Sequence, residues 1–251
     1  MKFSVLPFVM LLVASMVSAQ VKVPQPPPVK RPFSEALQLV LVTTDDWTAT
    51  KGTARLYRRE SVKSKWKQVI DAFPVVVGRA GLAWAVDSAP EKASEFKKEG
   101  DGKAPAGAFP LTFAFGSSTK PEQLTYPYTK LEANTECVDD TKSVHYNKIV
   151  DRMKVGVFDW KSSEKMLAVG AEYGLGVFVA HNSYPVTAGN GSCIFLHVWK
   201  DAETPTSGCT AMDRRHIERI VSRLDEAKNP YLVQLPKSEY KALRTAWNLP
   251  K

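Results

Sequence analysis

The sequence predicts one mainly β domain with short helices, an α+β fold, and three observations carry that expectation. Short apolar or alternating runs, bounded by Gly, Pro, Asp and Asn, recur along most of the chain. Helical spacing of apolar residues is brief wherever it occurs, most clearly at Met212, Ile217, Ile220, Val221 and Leu224. Between residues 33 and 251 there is no internal repeat, long charge block or second linker, so a single domain is the simplest account.

The chain opens with Met1-Lys2, an apolar run over residues 3–17, and Val17-Ser18-Ala19 before Gln20. A positive start, an apolar middle and small residues before a cut describe a secretory signal peptide over residues 1–19, cleaved after Ala19. The run is too short for a membrane span, which needs about 20 residues, and no other segment is long and apolar enough. Residues 20–32 hold Pro24, Pro26, Pro27, Pro28 and Pro32 and read as an extended linker. The expected location is therefore the cell envelope, periplasmic or secreted.

The net charge is +8, and losing Lys2 with the signal leaves +7. The basic residues are scattered, as at Arg55, Arg58, Arg59, Lys63, Lys65 and Lys67, which serves surface solubility. A basic exported protein is also drawn to anionic surfaces such as cell walls. The export signal and the lack of any nucleic-acid motif argue against nucleic acid as a partner.

In chain order, residues 36–43 read as a buried strand and residues 53–58 as a half-exposed one. Residues 66–70 and 73–77 continue the β pattern as two runs, and Gly78 and Gly81 mark turns. The stretch Gly100-Asp101-Gly102-Lys103-Ala104-Pro105-Ala106-Gly107 fits neither a Walker loop nor a dinucleotide fingerprint, and a shaped turn beside a site suits it better. It leads into strand residues 109–115. Residues 126–147 are polar and loop-like, carrying Cys137, Asp139, Asp140, Tyr146 and Asn147. Asp139 and Asp140 lack a further ligand at metal spacing, so neither a metal nor a cofactor is expected. Residues 162–173 read as a capped helix ended by Gly174. Residues 176–182 form a strand ending in His181-Asn182, and Asn190-Gly191-Ser192 is both a glycosylation sequon and a plain turn. Asp213 is a plausible N-cap for the helix after it, residues 232–235 a late strand, and Tyr240, Leu243 and Trp247 one face of a short terminal helix.

One stretch carries chemistry: Ile194-Phe195-Leu196-His197-Val198-Trp199, then Thr206-Ser207-Gly208-Cys209-Thr210-Ala211-Met212. A cysteine nucleophile needs a base for its proton and backbone N–H groups for an oxyanion. A helix start behind Cys209 would lower its pKa from about 8.5. The bland alternative is a core cysteine near an unrelated histidine. His181 rivals His197 as the base, although a structural histidine at a strand end is the commoner case. The cysteine count is odd for an exported chain. A Cys137–Cys193 disulfide would leave Cys209 as the free thiol; other pairings, or none, are the alternative.

These residues resemble the active-site motif of the L,D-transpeptidase (YkuD-like) catalytic domain of bacterial cell-wall enzymes. The Gly-Asp-Gly and Pro-x-Gly-x-Phe turn over residues 100–109 is similar to that family's, and the motifs follow in the same order over residues 37–236. The resemblance implies a β-sandwich-like catalytic domain over residues 33–251 and peptidoglycan stem peptides as substrate. It implies Cys209 as nucleophile, His197 as general base and acid, and the Thr206-Ser207-Gly208 loop as the oxyanion-holding turn. The products would be a crosslink when an amine accepts the acyl group, or a shortened stem when water does. An L,D-endopeptidase or amidase, and a silent wall-binding domain, are the competing readings. Many members carry Ser-His-Gly-Cys with an Arg or Asn two residues on, whereas this chain has Thr206-Ser207-Gly208-Cys209 and then Ala211. Lys103 or Arg214 would then hold a substrate carboxylate, with His181, Trp199, Tyr146 and Asn147 as further candidates for contacting substrate or supporting the pair.

Overall fold

The computed structural model describes residues 33–251; the expected signal segment and Pro-rich linker lie outside the described residues. The strands are β1 (Gln38–Thr44), β2 (Lys51–Arg58), β3 (Lys67–Val76), β4 (Leu82–Trp84), β5 (Ala104–Gly116), β6 (Tyr128–Lys130), β7 (Thr135–Val138), β8 (Ile149–Asp151), β9 (Ser163–Lys165), β10 (Leu175–Val179), β11 (Phe195–Val198), β12 (Thr210–Met212) and β13 (Pro230–Pro236). The α-helices are α1 (Arg214–Val221) and α2 (Lys237–Leu243). A mainly β domain with short helices is what these residues form.

The main sheet runs β10-β11-β12-β3-β2-β1-β13-β5-β4. β1 lies between antiparallel β2 and parallel β13 and is buried at every position, which explains its unbroken apolar run. β5 is longer than expected, beginning at Ala104. It pairs with β13 over Gly107–Pro110 and with β10 from Leu111 to Gly116, so the sheet closes on itself. A sandwich-like domain is thus realised as one sheet folded round to meet its own edge. The runs 66–70 and 73–77 are a single strand, β3, whose irregular register against β2 takes up the interruption. Pro74 is tolerated because β3 meets β12 only at Ala211↔Val76 and is otherwise an edge there.

Side chains alternate across this sheet, and the two sides differ. Leu39, Leu41, Phe109, Leu196 and Leu232 point into the main core, which α1 joins with Ile217, Ile220 and Val221. Each such buried side chain contributes roughly 1.5–3 kcal/mol. Phe115, Phe178 and Phe195 point the other way, into a second cluster with Met166, Tyr173 and Cys209. That side carries the small sheet β8-β7-β9 and a 3-10 helix, Met166–Tyr173. Two expectations are corrected here. Residues 162–173 are not one capped helix: Ser163–Lys165 pairs with β7, the turn after it has no side-chain cap, and Gly170 at φ +82° breaks the rest. The polar stretch 126–147 is not all loop, because β6 and β7 form within it.

Candidate active site

β11 and β12 are parallel neighbours, pairing Leu196 with Thr210 and His197 with Ala211. Cys209, one residue before β12, therefore lies beside Phe195. With a side-chain period of two, it shares a face with His197. That face is the one turned away from the main core. The loop before the cysteine is pinned from below: Arg79 N donates to Thr206 O at 2.8 Å and Thr206 N to Val77 O at 2.9 Å. Gly78, bridged to Thr206, has no room for a side chain, since a Cβ would lie 2.4 Å from Gly102 O. The glycine-rich turn thus packs directly under the cysteine loop. Asp101 knits that turn by accepting Lys97 Nζ at 2.6 Å and the backbone N–H groups of Lys98 and Lys103, each at 2.8 Å.

Cys209 is 7% exposed. Phe195 N donates to its Sγ at 3.3 Å, the thiol donates to Cys193 O at 3.4 Å, and the Tyr173 hydroxyl also hydrogen-bonds it. No helix starts immediately behind it, contrary to expectation: β12 intervenes, and α1 begins at Arg214 with Asp213 as its cap. Dipole effects fade beyond the first turn, so none reaches the sulfur. Burial instead pushes the thiol well above its ordinary range, and the Glu164 carboxylate adds to the rise.

His197 Nδ1 lies 2.8 Å from Val198 O. A carbonyl only accepts, so Nδ1 carries the proton in that bond. The Glu172 carbonyl also hydrogen-bonds the ring, and both carbonyls favour the protonated form. Burial outweighs them and holds His197 at about 4. At neutral pH the resting pair is a thiol and an uncharged imidazole. Thr206 Oγ1 donates to Cys209 O at 2.6 Å and accepts from Gly208 N at 3.1 Å, so an oxyanion would compete with this hydroxyl for the Gly208 N–H.

Cys209 and His197 open into one pocket of about 260 Å³, shared with Glu164, Tyr173, Trp199 and Ser207. Cys137 and Cys193 are bonded, S–S 2.08 Å, which ties β7 to the segment ahead of β11 and leaves Cys209 free. The other sequence-predicted residues scatter. Lys103 is ion-paired with Glu95, and Arg214 turns to Ala171 O and Glu218, so neither lines the pocket. Tyr146 donates to Glu99 at 2.6 Å. Asn147 holds backbone, donating to His181 O at 2.9 Å and Asn182 O at 2.7 Å while accepting from Cys193 N at 3.0 Å. His181 packs edge-on against Phe109 of the main core and faces Asn190 O.

Sequence reasoning misses Glu164, Tyr173, Glu172 and Lys200, which all line the pocket. Lys200 sits one residue past Trp199, the nearest residue that the sequence singles out. Glu164 and Tyr173 fall in the stretch that reads as one helix, where no spacing signals them. Among the described residues no group of three or more His, Cys, Asp or Glu could hold a metal ion, and no helix is long and apolar enough to cross a membrane.

A closed, sheet-rich domain with a free thiol and a neutral imidazole in one pocket defines a cysteine–histidine site on a β scaffold. A family model of the YkuD L,D-transpeptidase catalytic domain matches residues 49–233, and the chain belongs to that family. Membership makes it an L,D-transpeptidase-type enzyme with activity on peptidoglycan. Neither a curated protein nor a solved structure matches it.

Proposed function

We propose that the protein is an exported cysteine acyltransferase that acts on peptidoglycan stem peptides through a Cys209 thioester, as an L,D-transpeptidase or L,D-carboxypeptidase. The observation that carries this reading is the shared pocket: Cys209 and His197 line it together, and the Val198 carbonyl fixes the His197 ring. Cys209 sulfur attacks a stem carbonyl beside the terminal D-residue as His197 takes its proton. The C–N bond then breaks, and the departing amine takes the proton from His197. The acyl group passes to an amine of another stem, giving a crosslink, or to water, giving a shortened stem. Lys200, which lines the pocket where Lys103 and Arg214 do not, is the cation placed to hold the substrate's terminal carboxylate. Export is supported by the signal-like start of the chain and by a disulfide, which persists in oxidising compartments.

The test is Cys209→Ala on purified wall fragments, with products followed by mass spectrometry. The variant should fold and leave the fragments unchanged; continued turnover would sink the assignment. The products made by the unaltered protein decide between amine and water as acceptor.

A further inference from the structure

Glu164 and Tyr173 share the pocket with Cys209, and the proposed acyl transfer gives them no part. The Tyr173 hydroxyl donates to Glu164 Oε2 at 2.5 Å and also hydrogen-bonds the Cys209 thiol. Its single proton is committed to the carboxylate, so its oxygen is left to accept from the thiol. Rotation about Cβ–Sγ is all that turns the S–H from Cys193 O to Tyr173 Oη. The Tyr173 ring is fixed for this by edge contacts with Phe115, Phe195 and His197, with centroids 5.7, 5.4 and 5.2 Å away.

We propose that Tyr173 and Glu164 form a second proton path from Cys209, beside His197. As Tyr173 Oη takes the thiol proton, the proton it held passes to the Glu164 carboxylate. The S–H bond breaks, one O–H bond is exchanged at tyrosine, and one forms at Glu164. The products are a thiolate, a neutral tyrosine and a neutral carboxylic acid. Tyr173 touches the reacting sulfur and is the catalytic residue of the pair; Glu164 acts through it as a positioning residue. The path rests on the reading of Cys209 as the nucleophile.

Charge conservation favours this path. One negative charge occupies the pocket before and after the transfer, having moved from carboxylate to sulfur. Transfer to His197 instead makes two charges from none in a buried place, where each unpaired charge is costly. The acceptor is also matched to neutral pH: burial, then the charges of Asp139 and Glu99, raise Glu164 to about 7 against the pull of the Tyr173 hydrogen bond. The other titratable and charged groups around the path are Lys97, acting on the thiol, Glu172, acting on Tyr173, and His197 and Lys200 in the pocket wall.

The experiment is alkylation of Cys209 by iodoacetamide across pH 5–10, read by intact mass on the mature protein, Glu164→Gln and Tyr173→Phe. The unaltered protein should gain reactivity through pH 7 as Glu164 ionises. Both variants should lose that step and react about 100-fold more slowly at pH 7.5. A carboxylate that merely repels the thiolate gives the opposite sign, because removing its charge would make the thiol more acidic. Faster or unchanged alkylation in Glu164→Gln therefore overturns the path. Should that variant fail to fold, Tyr173→Phe keeps the ring packing and tests the same transfer, and unchanged alkylation there overturns the path equally. Iodoacetamide needs only the thiolate, so the result stands whether or not wall fragments are the substrate. Lost peptide turnover with unchanged alkylation would overturn the path and leave the proposed function in place.

Discussion

His181 and His197 are matched in most of what usually marks a catalytic histidine. Both are almost fully buried, both have a ring nitrogen 2.8 Å from a backbone carbonyl, and burial pushes both down to about 4. They differ in the side of the sheet they serve. His181 packs against Phe109 in the main core, with Asn190 O at its Nε2. His197 stands on the opposite face, over the pocket that holds the free thiol of Cys209. A depressed histidine is thus a product of burial alone, and the neighbouring group decides whether it can act.

The comparison breaks most sharply in turnover. His197→Asn should lower kcat/KM on wall fragments by about 10²–10⁴-fold, the range for loss of a general base. His181→Asn, whose amide can still reach Asn190 O, should leave turnover near that of the unaltered protein. Equal losses in both variants would mean that the two faces are coupled and that the pocket does not set the role.

Much of this contrast is legible in the residues. The apolar run delivering His197 and the small-residue turn delivering Cys209 are local signals, and the parallel pairing of β11 and β12 brings them to one face. The Gly100-Asp101-Gly102 turn declares itself through composition, and its place under Thr206 follows from Gly78 having no room for a Cβ. Glu164 is not legible. Its reach into the pocket depends on pairing with Cys137 across β7, a contact between residues 27 positions apart that no local periodicity encodes. The expected helix at residues 162–173 fails for the same reason: tertiary pairing overrides a local capping pattern. Lys103 and Arg214 have the charge to hold a carboxylate, but partners elsewhere, Glu95 and Glu218, engage them.

The second test concerns what holds the outer face in place. The Cys137–Cys193 bridge spans a sequence separation of 56 and fixes the residue whose carbonyl accepts from the Cys209 thiol. Closing a loop of that length removes about 4 kcal/mol of unfolded-state freedom in the chain-entropy account. Cys137→Ser should therefore lower the urea midpoint sharply under oxidising conditions and leave Cys193 as a second alkylatable thiol. The unaltered protein should show the same loss on reduction, with intact mass counting the thiols. Iodoacetamide reactivity of Cys209 should change with it, because Cys193 O is one of its hydrogen-bond partners. The His181 side, anchored in the main core, should keep its protection against hydrogen exchange.

The smallest effect is one in which the two histidines should agree. Each has its pKa lowered by folding, from an ordinary 6.5 to about 4. Between those values the unfolded chain binds a proton that the folded chain refuses, so stability is full above pH 6.5 and falls as the pH drops. Below about pH 4 the loss is complete, at about 3 kcal/mol for each ring. Glu164 works in the opposite direction. Raised from 4.5 to about 7, it costs stability as pH rises through that window. Its half-exposed side chain makes that cost smaller than the sum of the two rings. The net expectation is a urea midpoint that falls from pH 6.5 to pH 4. His181→Asn and His197→Asn should each flatten that slope by a similar amount, while Glu164→Gln steepens it. Rings alike in their linkage to pH and unlike in turnover would separate burial from chemistry in one pair of variants. A flattened slope in only one of them would mean that the other ring is already reached by water, and the comparison would then rest on exposure and no longer on which face of the sheet a histidine serves.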